Sequence, residues 1–141
     1  DSFIKIKSMY DKASLKVVGS NKPGFHKRYT NNIINKCKSL KGVEYFRHIN
    51  NKLELLNLYR KSDIFIMPSI KEPWGLTVNE AMCAENAIIC SDKVGSAADL
   101  VNNNYNGYIF KSNDEYSQIW EYYISYLTSS SCRLRRPVKG R

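Results

Sequence analysis

Asp63-Ile64-Phe65-Ile66-Met67-Pro68-Ser69-Ile70-Lys71-Glu72-Pro73-Trp74-Gly75-Leu76-Thr77-Val78-Asn79-Glu80-Ala81-Met82 sets an apolar strand, a loop and a helix in direct succession. Asp63 to Met67 is nearly all apolar and stops at Pro68, the pattern of a strand buried on both faces of a parallel sheet. Leu76 to Glu85 carries helical periodicity, so Pro68 to Gly75 is a strand-to-helix loop. In open α/β folds, loops at the carboxyl ends of the strands form the ligand crevice.

The same alternation runs outward in both directions. Upstream, Phe3, Ile6, Met9 and Tyr10 recur at helical spacing, and Leu15-Lys16-Val17-Val18 is a short strand ended by Gly19. His26 to Leu40 carries Tyr29, Ile33, Ile34 and Cys37 on one helical face, and Val43-Glu44-Tyr45-Phe46 follows Gly42 as a strand. Leu53, Leu56, Leu58 and Tyr59 suit a third helix. Downstream come a strand at Ala87 to Cys90, a short helix from Ser96 to Asn102, and a strand at Gly107 to Phe110. Asp114 caps a last helix through Leu127. Five strands separated by helices predict an α/β fold with a doubly wound, Rossmann-like, mostly parallel sheet.

A chain of 141 residues is one domain's length, and 43% hydrophobic with 25% charged residues excludes a disordered or fibrous protein. The reading places the folded domain at 1–128 and a basic, disordered tail at 129–141. No apolar run reaches membrane-spanning length and Asp1-Ser2-Phe3 opens no targeting peptide, so a soluble, cytoplasmic chain is expected. Cys37, Cys83, Cys90 and Cys132 form no Cys-x-x-Cys pair and are expected as reduced thiols. The formal charge is +9, but Arg133, Arg135, Arg136, Lys139 and Arg141 supply much of it from the last nine residues. That tail lacks interleaved stacking aromatics, so no nucleic-acid partner is expected. The mildly basic remainder suits nucleotides, phosphates or an anionic membrane surface.

The chemistry concentrates in the quoted stretch. A helix starting at Gly75 and Leu76 leaves its first amides unpaired, and with the helix dipole these form an anion site. Gly75 lets a phosphate approach the backbone and tolerates the turn. Glu80 lies about five residues into the helix, roughly 6 to 8 Å from those amides at about 1.5 Å per residue, which is the separation of a ribose from its diphosphate. A carboxylate there can accept hydrogen bonds from both hydroxyls of a cis-diol. Glu72, still in the loop, can reach the hydroxyls of a transferred sugar. Spacing alone would equally fit a solvated loop acid and a surface helix acid. Lys71 can neutralise phosphate or stay solvated, and Trp74 can stack on a sugar or wedge the loop. Gly19 to Gly24 lacks nucleotide-loop spacing and reads as a turn. His26 and His48 have no triad partner in sequence. No Asp-x-Asp occurs, so no metal bridging the diphosphate is expected.

Glu-Pro-Trp-Gly-Leu-x-x-x-Glu-Ala-Met after a strand ending in Pro-Ser resembles the Glu-x7-Glu signature of group 1 retaining glycosyltransferases, of family 4 and GT-B architecture. The resemblance extends to Leu15 to Gly19, Tyr59 to Asp63, Ser91 to Val101 and Asn106-Gly107. It implies a nucleoside-diphosphate sugar as the bound partner, with Glu80 on the donor ribose and Glu72 on the donor sugar as the catalytic carboxylate. The amides of Gly75, Leu76 and Thr77 would meet the diphosphate, with Trp74 and Lys71 beside it. The base would lie by the loop at Arg47-His48-Ile49, making His48 and Ile49 donor-binding, although Arg47 or His48 stands where the family has Gly. Val94-Gly95-Ser96 departs from the family's double glycine. No cofactor or metal is implied.

The resemblance begins at the family's first helix, at Asp1 to Tyr10. It implies that the sheet's central first strand, a basic loop with an Arg and a Lys, and an acceptor-binding N-terminal domain lie outside this chain. The chain is therefore expected to be the donor-binding half of a hexosyltransferase, inactive alone, with peripheral membrane association in the longer protein. Two alternatives share the architecture: a non-catalytic binding domain and a nucleotide-sugar epimerase.

Overall fold

The structure, a computed structural model, describes residues 2–19 and 27–112. The expected helix from Asp114, His26, most of the Gly19 to Gly24 turn, Cys132 and the 129–141 tail lie outside the described residues. Ten elements alternate as expected: α1 Ser2–Met9, β1 Leu15–Val18, α2 Lys27–Ser39, β2 Val43–Phe46, α3 Lys52–Arg60, β3 Ile64–Met67, α4 Leu76–Cys83, β4 Ala87–Ser91, α5 Ala97–Leu100 and β5 Gly107–Phe110. Helix α4 stops two residues before its apolar pattern does. Glu85 takes a left-handed φ of 64°, and the amides of Glu85 and Asn86 fold back onto the carbonyls of Met82 and Ala81. That is the Schellman way of ending a helix, here without its usual glycine.

Every strand pairing among the described residues is parallel. They fall into two ladders, β1-β2 and β3-β4-β5, where the sequence predicts one sheet. Leu15 to Val18 lie opposite Val43 to Phe46. Ile64 to Met67 lie opposite Ala87 to Cys90, and Ile88 to Ser91 opposite Gly107 to Phe110.

The chain divides accordingly into two compact units, one spanning Phe3–Leu55 and the other taking in the chain from Leu56. In the first, α1 buries Ile6 and α2 buries Cys37. The β2 side chain of Tyr45 donates its hydroxyl hydrogen to the Gly19 carbonyl at 3.1 Å, tying the two strand ends together. In the second, β4 is buried along its whole length. Ile89 and Phe110 pack with Ile64 and Ile66, and α4 turns Val78 and Ala81 inward.

One expectation needs correction here. β3, the most apolar strand, is only half-buried at all four positions. Among the described residues it pairs with β4 only, and the strand buried along its whole length is β4. Cys37, Cys83 and Cys90 are free thiols, as expected. Burial pushes the Cys90 thiol up to about 11, so it packs as an inert apolar group.

Candidate functional site

The site grows from the carboxyl ends of β3 and β4. Past Met67 and Cys90 their ladder breaks, then resumes at one isolated parallel bridge between Glu72 and Val94. The Glu72 amide donates to the Lys93 carbonyl at 3.1 Å, and the Gly95 amide donates to the Glu72 carbonyl at 2.9 Å. Glu72 is thus a loop residue with a strand's backbone restraint. Two further ties brace the loop. The Ser91 hydroxyl donates to the Ser69 carbonyl, and the Ser96 amide donates to the Trp74 carbonyl at 3.0 Å. Ser91 and Ser96 are both buried, and the Ser96 Oγ has no hydrogen-bond partner among the described residues.

Two glycines permit this closeness. A Cβ on Gly95 would lie 1.9 Å from the Pro73 carbonyl oxygen, so only a bare backbone fits between the loops. Gly75 has φ 87°, and a Cβ there would fall 2.9 Å from Val94 Cγ1 and 3.4 Å from Glu72 Cγ. The Glu72 side chain, half-buried, therefore lies against the Gly75 backbone.

Gly75 is also the N-cap of α4, with no side chain capping it. The Val78 amide bonds back to the Gly75 carbonyl at 2.8 Å. The amides of Gly75, Leu76 and Thr77 precede the helical ladder, where the helix dipole favours an anion. The Thr77 hydroxyl turns inward to Met67 Sδ at 3.5 Å, so Thr77 can offer a ligand its backbone rather than its side chain. Leu76 and Glu80, one turn apart on the same helical face, are both exposed, opposite the buried Val78 and Ala81. Lys71 is exposed, and Trp74 is 43% exposed rather than wedged into the core.

Glu80 has a partner that local sequence does not reveal. The Tyr59 hydroxyl donates to Glu80 Oε2 at 3.1 Å. Burial, reinforced by the adjacent Glu80 carboxylate, raises the Tyr59 phenol well above its usual range, so it stays a protonated donor. At the other end of the site Asp92 accepts from the Ser112 amide at 2.9 Å. That bond is the main cause of its carboxyl lying below the usual range, with Lys93 beside it at 3.2 Å assisting.

Of the residues singled out from sequence, Glu72, Trp74, Gly75, Leu76, Thr77 and Glu80 lie on this one loop and helix, with Lys71 at its start. His48, exposed, and Ile49, half-buried, belong to the first unit, on the segment between β2 and α3. There Asn51 caps α3 by accepting from the Leu53 amide at 2.9 Å. Tyr59, Ser91, Gly95 and Ser96 gained no role from sequence. Their partners lie some twenty residues away, beyond the reach of helical or strand periodicity. Among the described residues no three His, Cys, Asp or Glu side chains gather as metal ligands, and no helix is long and apolar enough to cross a membrane.

The family model for glycosyl transferases group 1 matches residues 1–138. A probable sucrose-phosphate synthase of Thermosipho melanesiensis is 29% identical over 116 residues, which cover 79% of this chain and 27% of that protein. Among solved structures, a UDP-forming α,α-trehalose-phosphate synthase from Burkholderia xenovorans superimposes with a TM-score of 0.73 at 13% identity, over 89% of this chain and 31% of that one. WaaG, a glycosyltransferase involved in lipopolysaccharide biosynthesis, gives 0.69 at 23% identity, over 91% and 32%. Sucrose-phosphate synthase from Thermosynechococcus elongatus gives 0.67 at 21%, over 89% and 32%. At these identities the structural likeness is one of fold. The chain spans about a quarter of the length of the curated relative and under a third of each solved chain.

Proposed function

Since the chain belongs to the group 1 glycosyl transferases, we propose that its second unit holds the nucleoside-diphosphate sugar from which a hexose passes, with retention, to a hydroxyl acceptor. In this reading the amides of Gly75, Leu76 and Thr77 hold the diphosphate and stabilise the charge that develops as it leaves. Glu80 accepts hydrogen bonds from the ribose diol. Glu72 is the catalytic carboxylate, holding hydroxyls of the sugar while the reacting carbon is attacked. Lys71 adds positive charge, and Trp74 offers a ring face to the sugar. No cofactor or metal enters the reading, because helix amides and basic side chains carry the phosphate charge.

The acceptor belongs to a separate N-terminal domain of a longer enzyme, so this chain binds donor without transferring sugar. The reading keeps a cytoplasmic setting, with peripheral attachment to an anionic membrane and no nucleic-acid partner. One observation carries it: Glu72, fixed by two backbone hydrogen bonds, lies against the left-handed Gly75 that opens α4. The UDP-forming neighbour makes uridine diphosphate the first probe. Titration calorimetry of the folded chain should show UDP or another nucleoside diphosphate binding, and Glu80→Ala should weaken it by about tenfold or more, the scale of lost charge-assisted hydrogen bonds. A folded chain that binds none of them, or binds equally well without Glu80, overturns the reading.

A further inference from the structure

Glu80 is exposed on its helix, and a free glutamate there would sample several rotamers and lose that freedom when a ligand fixed it. The structure restrains it before any ligand arrives, through the Tyr59 hydroxyl on Oε2 at 3.1 Å. We propose that Tyr59 is a positioning residue that aims the Glu80 carboxylate at the ribose diol, so that the chain selects nucleotides carrying both hydroxyls. This deepens the donor reading above and rests on it.

Tyr59 is itself held in place by packing and by a backbone hydrogen bond. Its ring meets Phe65 edge to face, with centroids 5.7 Å apart and planes at 71°. It is buried, and its carbonyl accepts from Asn86 Nδ2 at 2.9 Å. The same amide nitrogen reaches the Ser62 carbonyl at 2.6 Å, while the Asn86 backbone amide closes the end of α4 on Ala81 at 3.0 Å. One asparagine therefore joins the end of α3 to the end of α4, and that junction sets the spacing from phenol to carboxylate. A carboxylate has about four acceptor positions. The phenol takes one on Oε2 and leaves Oε1 and the rest of Oε2 for two hydroxyls. Nucleotide discrimination, rather than strength of folding, is the property this pairing controls.

Calorimetric titration of the 141-residue chain with UDP and with 2′,3′-dideoxy-UDP, run on wild type, Tyr59→Phe, Glu80→Ala and the double variant, tests this. Tyr59→Phe should weaken UDP by about tenfold, the scale of one hydrogen bond to a charged group. It should leave the dideoxy nucleotide unchanged, and the double variant should match Glu80→Ala. Thermal melting run alongside identifies a general loss of structure, which would weaken both nucleotides alike and overturn the proposal. So would an unchanged UDP affinity in Tyr59→Phe while Glu80→Ala still weakens it, leaving the donor reading intact. If Glu80→Ala changes nothing, or wild type binds neither nucleotide, the donor reading falls and this proposal with it.

Discussion

β4 is buried at all five of its residues, whereas neither strand of the β1-β2 ladder holds a single fully buried one. Both ladders are parallel, but β1 and β2 carry Lys16 and Glu44, whereas β3 and β4 hold no charged residue. Among the described residues β4 has a strand on each side, while β1, β2, β3 and β5 each have one, and β5 is nevertheless buried at three of its four positions. Neither apolar content nor ladder position alone decides burial: β3 and β5 both stand at a margin of their ladder, one half-buried and the other largely buried. The loops differ likewise. The one after β3 is stitched to the end of β4 and the loop beyond it by four hydrogen bonds, through Ser69, Glu72 twice and Trp74. In the segment from Arg47 to Asn51 after β2, the side-chain tie is the Asn51 cap on α3. Chemistry that needs a carboxylate held still belongs on the first kind of loop.

The largest effect should come from the core contrast. Ile89→Ala empties a position 1% exposed and should cost about 2–5 kcal/mol of stability in urea denaturation. Val17→Ala, in half-buried β1, should cost only about 1 kcal/mol. Equal costs would break the link between burial and stability. Next, Gly95→Ala drives a methyl into the Pro73 carbonyl and should cost about 1–3 kcal/mol as an overpacked contact. Because the Gly95 amide holds Glu72, it should also weaken nucleotide binding more than its stability cost explains, whereas binding that survives would separate Glu72 from the ligand. The smallest effect is that of Trp74→Ala, which should cost less than about 1 kcal/mol because the indole, 43% exposed, is not among the buried core residues. A larger loss would mean the ring wedges the loop.

Most of this architecture is legible in the sequence because it is local. Periodicity over four to thirteen residues marks the strands and helices, and Pro68, Gly75 and Gly42 punctuate them. The candidate site was legible for the same reason, since Glu72, Gly75 and Glu80 lie within one strand-loop-helix unit. What escaped depends on pairing across distance. The all-apolar β3 reads as a central strand, because composition does not record which neighbours a strand has. Tyr59 reads as a helix core residue, because nothing near it in the chain announces Glu80. Gly95 reads as a departure from a pattern, yet its missing side chain is what lets Glu72 bond to two backbones.

A crystal structure of the chain soaked with uridine diphosphate tests the central claim most directly. Phosphate oxygens should lie within about 3 Å of the amides of Gly75, Leu76 and Thr77, with the ribose hydroxyls on Glu80 and the Tyr59 hydroxyl still on Oε2. A diphosphate bound away from the start of α4, or a ribose that leaves Glu80 untouched, would contradict it.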